Sequence, residues 1–324
     1  MKKELRIAVI GAGLGGCAAA NLLHQAGFEV TVYEQTKAIT RLGAGIHLSP
    51  NVTRVLDRIG ILHDLQAGGS EPRAWVSRDW DSGATTIDFL LRDVAMERYG
   101  APYLTVHRGD LQLALVRAVP DGALQLEKQL VDVIPGDTET QLVFADGGKA
   151  KADVVIGADG VHSRIREILA GVEAPVYTGH VAHRAIIPIE RFGGHVFDDS
   201  TKWWHPEKHI VVYYITADRK HIYYVTGVPE PDWRHEDWVY RGDARTLEKA
   251  FEGFHPEVQM LVDNTTEVLN WAILERAPFE LWHEQSVVLL GDACHPMKPH
   301  MGQGAAMAIE DAAMLARCLE SSPD

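Results

Sequence analysis

Apolar and polar positions follow two different rhythms along this chain. Arg6-Ile7-Ala8-Val9-Ile10 is an apolar run that ends in Gly11-Ala12-Gly13-Leu14-Gly15-Gly16, and small and apolar residues continue from there through Asn21 to Ala26. Gly27 then precedes a second run, Glu29-Val30-Thr31-Val32-Tyr33-Glu34. The order predicts a buried strand, a tight turn, a helix stopped at Gly27 and a parallel strand. Val52, Val55, Leu56 and Ile59 recur at helical spacing, and Gly60 ends that helix. Asp110 reads as the N-cap of another helix, with Leu111, Leu113, Leu115 and Val116 as its apolar positions. Leu124 to Val133 and Gln141 to Ala145 read as a strand pair with turns at Pro135-Gly136-Asp137 and Asp146-Gly147-Gly148. Asp153-Val154-Val155-Ile156-Gly157 and Ser286-Val287-Val288-Leu289-Leu290 are continuous apolar runs of the kind found in buried parallel sheets.

Between Tyr177 and Trp282 the rhythm changes to strands rich in aromatic and β-branched residues. The clearest are His209 to Thr216 and His221 to Thr226, joined across Ala217-Asp218-Arg219-Lys220, and they predict antiparallel sheet. The expected fold is therefore α/β, a doubly wound Rossmann-type dinucleotide domain interleaved with an antiparallel substrate domain. Segments 1–72, 101–176 and 285–324 are assigned to the first, and 73–100 and 177–284 to the second.

Composition narrows the function. With 324 residues and 46% hydrophobic content the chain is large enough for two cores. Its 31 basic and 45 acidic residues give a formal charge of −14, which disfavours nucleic acid and anionic membrane surfaces as partners. Cys17, Cys294 and Cys318 show no paired spacing, the Met1-Lys2-Lys3 start leads into a strand with no cleavage site, and no segment reaches the ~18 to 20 apolar residues of a span. A cytoplasmic enzyme is expected. Adjacent Cys294 and His295 are poorly spaced for a tetrahedral ion, so no metal is expected.

Three motifs carry chemistry. In the first, Gly11 permits a tight bend, Gly13 lets backbone approach a pyrophosphate, Gly16 lets the helix pack on the sheet, and Glu34 lies where an acid reaches a ribose hydroxyl. The second is Gly157-Ala158-Asp159-Gly160, followed by His162, Arg164 and Arg166. In the third, Leu290-Gly291-Asp292 delivers an acid to the end of a strand, and Gly302-Gln303-Gly304-Ala305 opens a helix that can stabilise negative charge nearby.

In this order and spacing the motifs resemble those of the flavoprotein aromatic hydroxylases, the single-component FAD monooxygenases related to 4-hydroxybenzoate and salicylate hydroxylase. The resemblance covers nearly the whole chain. It implies bound FAD, with Gly15, Glu34 and Gln35 at the ADP end, a main-chain contact from Leu130 to adenine, Arg108 near the flavin phosphates, Asp159 in the middle motif and Asp292 on the ribityl chain. Arg41-Leu42-Gly43-Ala44-Gly45-Ile46-His47, Lys202-Trp203-Trp204, the strand His209 to Tyr214 and the stretch Cys294 to Met301 are similar to the branch of the family that uses NADH to hydroxylate 6-hydroxynicotinate. That likeness places Arg41 among the cofactor residues. Members of this branch extend some tens of residues past the last motif, whereas this sequence stops at Asp324.

Only one complete dinucleotide fingerprint is present, so FAD would own that site and NADH would bind transiently. The expected reaction runs through a flavin hydroperoxide, which demands an electron-rich ring and a protein group to take a ring proton or hold the resulting anion. Oxygen attack at the carboxylate-bearing carbon of 6-hydroxynicotinate would expel carbon dioxide and leave 2,5-dihydroxypyridine, a step of aerobic nicotinate degradation. The candidates are His47, Tyr213, His300 and His209, the first three also as substrate contacts. His209 and Tyr213 share a strand face but stand ~13 Å apart. Trp203 and Trp204 point to opposite faces, so at most one lines a pocket. Two alternatives stay open: a hydroxylase of another hydroxylated aromatic acid, salicylate-like, and a flavin-binding redox-sensing module without turnover. Monomer and homodimer are equally compatible with the sequence.

Overall fold

The structure, a computed structural model, describes residues 5–41, 43–235, 240–299 and 302–321. The apolar runs assemble one six-stranded sheet in the order His283–Glu284, Val287–Leu289, Val154–Gly157, Arg6–Ile10, Glu29–Tyr33, Leu124–Gln125. All neighbours are parallel except the first pair. Register sets Ile10 beside Gly157 and Tyr33, and Gly157 beside Leu289. All three motifs therefore leave the sheet at the same carboxyl edge, where ligands of open α/β sheets bind.

Helices Leu14–Gln25 and Gly304–Ser321 pack together against this sheet. Gly15 makes their approach possible, because a Cβ there would stand 2.6 Å from Leu290 Cδ2 and 3.1 Å from Ala308 Cβ. Leu22 and Leu23 are fully buried in the core around them, each contributing ~1.5 to 3 kcal/mol of burial.

The second large sheet has eight strands in the order Tyr240–Arg241, Leu269–Glu275, Val176–Pro188, His221–Pro229, His209–Tyr214, Ser200–Trp204, Ala74–Asp79, Thr85–Leu90. It is antiparallel except where Ser200–Trp204 meets Ala74–Asp79. On one face Trp203, Ile210, Val212 and Tyr214 form a core with Leu247 and Leu261 of the helices Ala244–Ala250 and Pro256–Asp263 and with Phe251, just past the first. The opposite face carries Tyr213 and Tyr223, which pack on Ala44. A two-stranded ribbon, Gly45–Leu48 against Leu104–His107, lies at this junction, and Thr105 Oγ1 donates to the Tyr214 carbonyl at 2.7 Å.

Three expectations need correction. Leu124 to Val133 is not one strand: Leu124–Gln125 closes the parallel sheet, while Leu130–Ile134 joins Thr140–Phe144 and Lys149–Ala152 in a separate three-stranded sheet. Asp110 is not a cap. The helix begins at Arg108, His107 accepts from Gly109 N at 3.1 Å, and Asp110 instead takes Arg41 in a two-point pair of 2.5 and 2.9 Å. His283 and Glu284 belong to the parallel sheet, so a boundary after 284 would cut their hairpin with Val287–Leu289. With that change, the division into flavin segments 1–72 and 101–176 and substrate segments 73–100 and 177–282 remains our proposal.

Candidate active site

The carboxyl edge of the parallel sheet opens into a cleft of about 440 Å³, lined among others by Gly11, Gly13, Glu34, Gln35, Leu130 and Asp159. Gly11 adopts φ 102°, and a Cβ there would stand 2.5 Å from the Ala158 carbonyl oxygen; at Gly16 it would stand 2.0 Å from the Gly11 oxygen. Gly13 is different, since nothing lies within 4 Å of its absent Cβ. Its bare backbone faces open space at the start of helix Leu14–Gln25, whose first turn has no side-chain cap. Free N–H groups at such a helix start suit a pyrophosphate. Glu34 holds the loop, accepting from Ala12 N at 2.8 Å and Thr36 N at 2.9 Å. Asp159 accepts from Ser163 Oγ at 2.5 Å, Arg164 N at 2.7 Å and Ile165 N at 3.1 Å, and so starts the helix Arg164–Ala170 at the cleft rim. Burial raises its pKa and these bonds oppose the rise. Gly15 and Arg41 do not line this cleft: the first is taken up by helix packing and the second by Asp110.

On the turn after the strand Val287–Leu289, Asp292 stands exposed with no hydrogen-bond partner among the described residues. The surrounding protein raises its pKa by desolvation, against His295 and Arg108, which favour the anion. Arg108 donates its backbone N–H to the Ala44 carbonyl at 2.8 Å; desolvation lowers its guanidinium pKa, while Asp292 and Tyr223 pull it up. An open carboxylate, a half-buried cation and turns at Gly291 and Gly302, both at positive φ, are a donor and acceptor set that fits the ribityl and phosphate parts of FAD. The turn after the third strand is pinned by Asp311, which accepts from Gly291 N at 3.0 Å and pairs with His295 Nε2 at 2.7 Å.

That last pair yields a pH prediction. Asp311 raises the His295 pKa above 6.5, so the pair's stabilisation is complete below 6.5 and fades as pH rises through the raised value. The melting-temperature difference between the protein and its His295→Asn variant should therefore shrink toward alkaline pH in calorimetry. A constant difference would remove the ionic contribution.

Near the turn at Gly302 is an aromatic cluster. The His47 ring centroid lies 4.0 Å from Tyr213, 5.4 Å from Trp75 and 5.9 Å from Tyr103, and a Cβ added at Gly302 would stand 3.8 Å from His47 Cβ. Gly45 allows this crowding, since a Cβ would meet Tyr223 Cδ1 at 2.5 Å and Tyr213 Cε2 at 2.8 Å. Desolvation pushes the His47 pKa down to about 3, and burial with help from Tyr223 and Tyr103 pushes Tyr213 well above the usual phenol range. Both groups are neutral near pH 7. The structure thus brings His47 and Tyr213 together and sets His209 apart, two registers away against Trp204 and over Gly227. Trp203 is buried on the other face and Trp204 is partly exposed. His300 lies outside the described residues.

Two residues of this face escaped the sequence reading. Tyr103 Oη lies 3.1 Å from His47 Nδ1; nothing local marks it, because the contact exists only once the ribbon pairs. Lys202 shares the face of Tyr213, opposite Val211, and is 3% exposed. Its ammonium lies 3.6 Å from the Trp204 ring centroid, has no acidic partner among the described residues, and burial lowers its pKa to about 8. Only the register shows which residues Lys202 accompanies.

A parallel sheet whose motif turns open into one cleft at its carboxyl edge, beside an antiparallel sheet, is the architecture of an FAD-dependent aromatic hydroxylase. The family model described as FAD binding domain matches residues 4–322, and the chain belongs to that family. The 6-hydroxynicotinate 3-monooxygenase of Bordetella bronchiseptica is 54% identical over 324 residues, with 99% of this chain and 84% of the relative covered. The enzyme of that name from Pseudomonas fluorescens is 51% identical over 322 residues, with the same shares. Among solved structures, Klebsiella pneumoniae HpxO complexed with FAD and uric acid superposes with a TM-score of 0.87 at 28% identity, covering 100% of this chain and 82% of that one. FAD is the cofactor of this fold. Among the described residues no helix is long and apolar enough to cross a membrane, and no group of three or more His, Cys, Asp or Glu could hold a metal.

Proposed function

We propose that this protein is an FAD-dependent monooxygenase that uses NADH and oxygen to hydroxylate 6-hydroxynicotinate with loss of its carboxyl group. The observation that carries the reading is the neutral His47 and Tyr213 pair, 4.0 Å between ring centroids, on the same sheet face as the buried, acid-free Lys202. Tyr213 lies opposite Ser200 and Lys202 opposite Val211, so the two differ by two residues along the strands, ~6.6 Å. That span matches the distance across a pyridine ring from its oxygen to a para carboxylate. His47 and Tyr213 hold the ring oxygen and Lys202 supplies the countercharge to the carboxylate.

Reduced FAD, when bound, supplies the activated oxygen. The protein's part is to fix the ring, keep it dry and polarise its oxygen so that electron density reaches the carboxylate-bearing carbon. At the cofactor, Gly11, Gly13, Gly16, Glu34, Gln35, Leu130 and Asp159 would take the ADP half, and Arg108, Asp292, Gly302, Gly304 and Ala305 the flavin half. A cytoplasmic location accords with this chemistry.

The test is product analysis. With 6-hydroxynicotinate, NADH and oxygen, 2,5-dihydroxypyridine and carbon dioxide should form in equal amounts, and 6-hydroxynicotinate should accelerate NADH oxidation more than salicylate or 3-hydroxybenzoate does. Retention of a labelled carboxyl carbon in the aromatic product would exclude attack at that carbon. Acceleration by salicylate alone would move the assignment to another aromatic acid.

A further inference from the structure

The contact between His47 and Tyr103 settles a question that the function just proposed leaves open, and the inference rests on that reading for the identity of the substrate atom. Nδ1 of His47 is 3.1 Å from Tyr103 Oη, whereas Nε2 is buried with no hydrogen-bond partner. His47 is half-buried, its ring set among Trp75, Tyr103 and Tyr213, an environment that keeps the imidazole neutral. A neutral imidazole carries one proton, so one nitrogen donates and the other accepts. The hydrogen bond decides which is which. A phenol is a strong donor and a weak acceptor, while the bare nitrogen of imidazole is a good acceptor, so the O–H···N arrangement is favoured over N–H···O. Tyr103 has no other hydrogen-bond partner among the described residues to compete for its proton, and burial opposes its ionisation.

We propose that Tyr103 donates its phenolic proton to Nδ1 and fixes His47 as the Nε2–H tautomer, so that His47 offers the substrate's ring oxygen a hydrogen-bond donor and not a base. Tyr103 is then a positioning residue. The orphaned Nε2–H has a partner only when the aromatic acid is seated, and an oxygen that is carbonyl-like in one tautomer and anionic on ionisation accepts that bond in both forms. Tyr213, also holding its proton, would be the second donor. The pair acts by holding charge on the ring oxygen without storing the proton.

The experiment is nitrogen NMR of the FAD-loaded enzyme, free of substrate, carrying ¹⁵N-labelled histidine, with the His47 signals assigned by their loss in His47→Gln. The wild-type spectrum should show Nε2 protonated and Nδ1 bare, and in Tyr103→Phe the two tautomers should mix. Because only the competent tautomer binds, Tyr103→Phe should raise KM for 6-hydroxynicotinate roughly three- to tenfold with flavin content unchanged and kcat less affected. A proton on Nδ1 in the wild type overturns the proposal, as does a Tyr103→Phe enzyme with unaltered His47 signals and KM. The wild-type spectrum gives the answer even if the variant folds poorly. If 6-hydroxynicotinate fails to drive NADH oxidation in the wild type, the functional reading fails by itself, since the tautomer is read without substrate.

Discussion

Asp292→Ala is expected to purify with little or no flavin while keeping its fold. The carboxylate stands on the turn that follows the strand Val287–Leu289, is exposed and hydrogen-bonds nothing among the described residues, so its removal takes no bond from the protein. Its pKa is already raised by desolvation, which means the folded chain gains nothing from the charge in the absence of a ligand. A flavin hydroxyl donating to it would form a charge-assisted hydrogen bond of ~1.5 to 3 kcal/mol, so affinity should fall roughly 10- to 150-fold. Visible absorbance per mole of purified protein measures the loss, and far-ultraviolet circular dichroism checks the fold. Asp292→Asn should lie between, since the amide still accepts but carries no charge. A variant that retains a full complement of flavin would place the ribityl contact elsewhere in the turn.

The parts of the site that were legible in sequence are those fixed by local steric rules. Gly11, Gly13 and Gly16 have different surroundings, and each follows from its offset to the strand and the helix: one bends the chain, one leaves bare backbone toward the cleft, one admits the helix. Buried parallel runs announced the strands that carry Asp159 and Asp292, and parallel register brought their ends to one edge. What could not be read was anything requiring two distant segments to meet. Tyr103 reaches His47 only because Leu104–His107 pairs with Gly45–Leu48, and no periodicity encodes that partner. Arg41 resembled a cofactor residue by motif, yet its guanidinium is taken by Asp110, whose own spacing suggested a cap. Gly15 sits inside a phosphate motif but serves the contact with Leu290 and Ala308. In each of these a tertiary neighbour, invisible to local spacing, holds the side chain or limits what can stand there.

Tyr213→Phe is expected to slow product formation by roughly 100- to 1,000-fold, the cost of losing one donor to a developing oxyanion in a desolvated site. The change removes a single oxygen from a ring that stays packed on His47, Tyr223 and Ala44, so flavin content and melting temperature should hardly move. Two readouts separate this from a packing defect. Reduction of the flavin by NADH needs no electron-rich ring and should keep its rate in a single turnover, while NADH consumption should exceed 2,5-dihydroxypyridine formed, with the surplus recovered as hydrogen peroxide. Rate against pH gives the second. With the His47 pKa at about 3 and Tyr213 far above neutrality, neither group changes charge between pH ~5 and ~8, the window in which an ordinary histidine titrates. Replacing Tyr213 should therefore lower the pH profile without changing its shape. A variant that loses an inflection in that window would show Tyr213 or His47 acting as a titrating base, and one that hydroxylates at the wild-type rate would transfer the ring oxygen to His209 or His300.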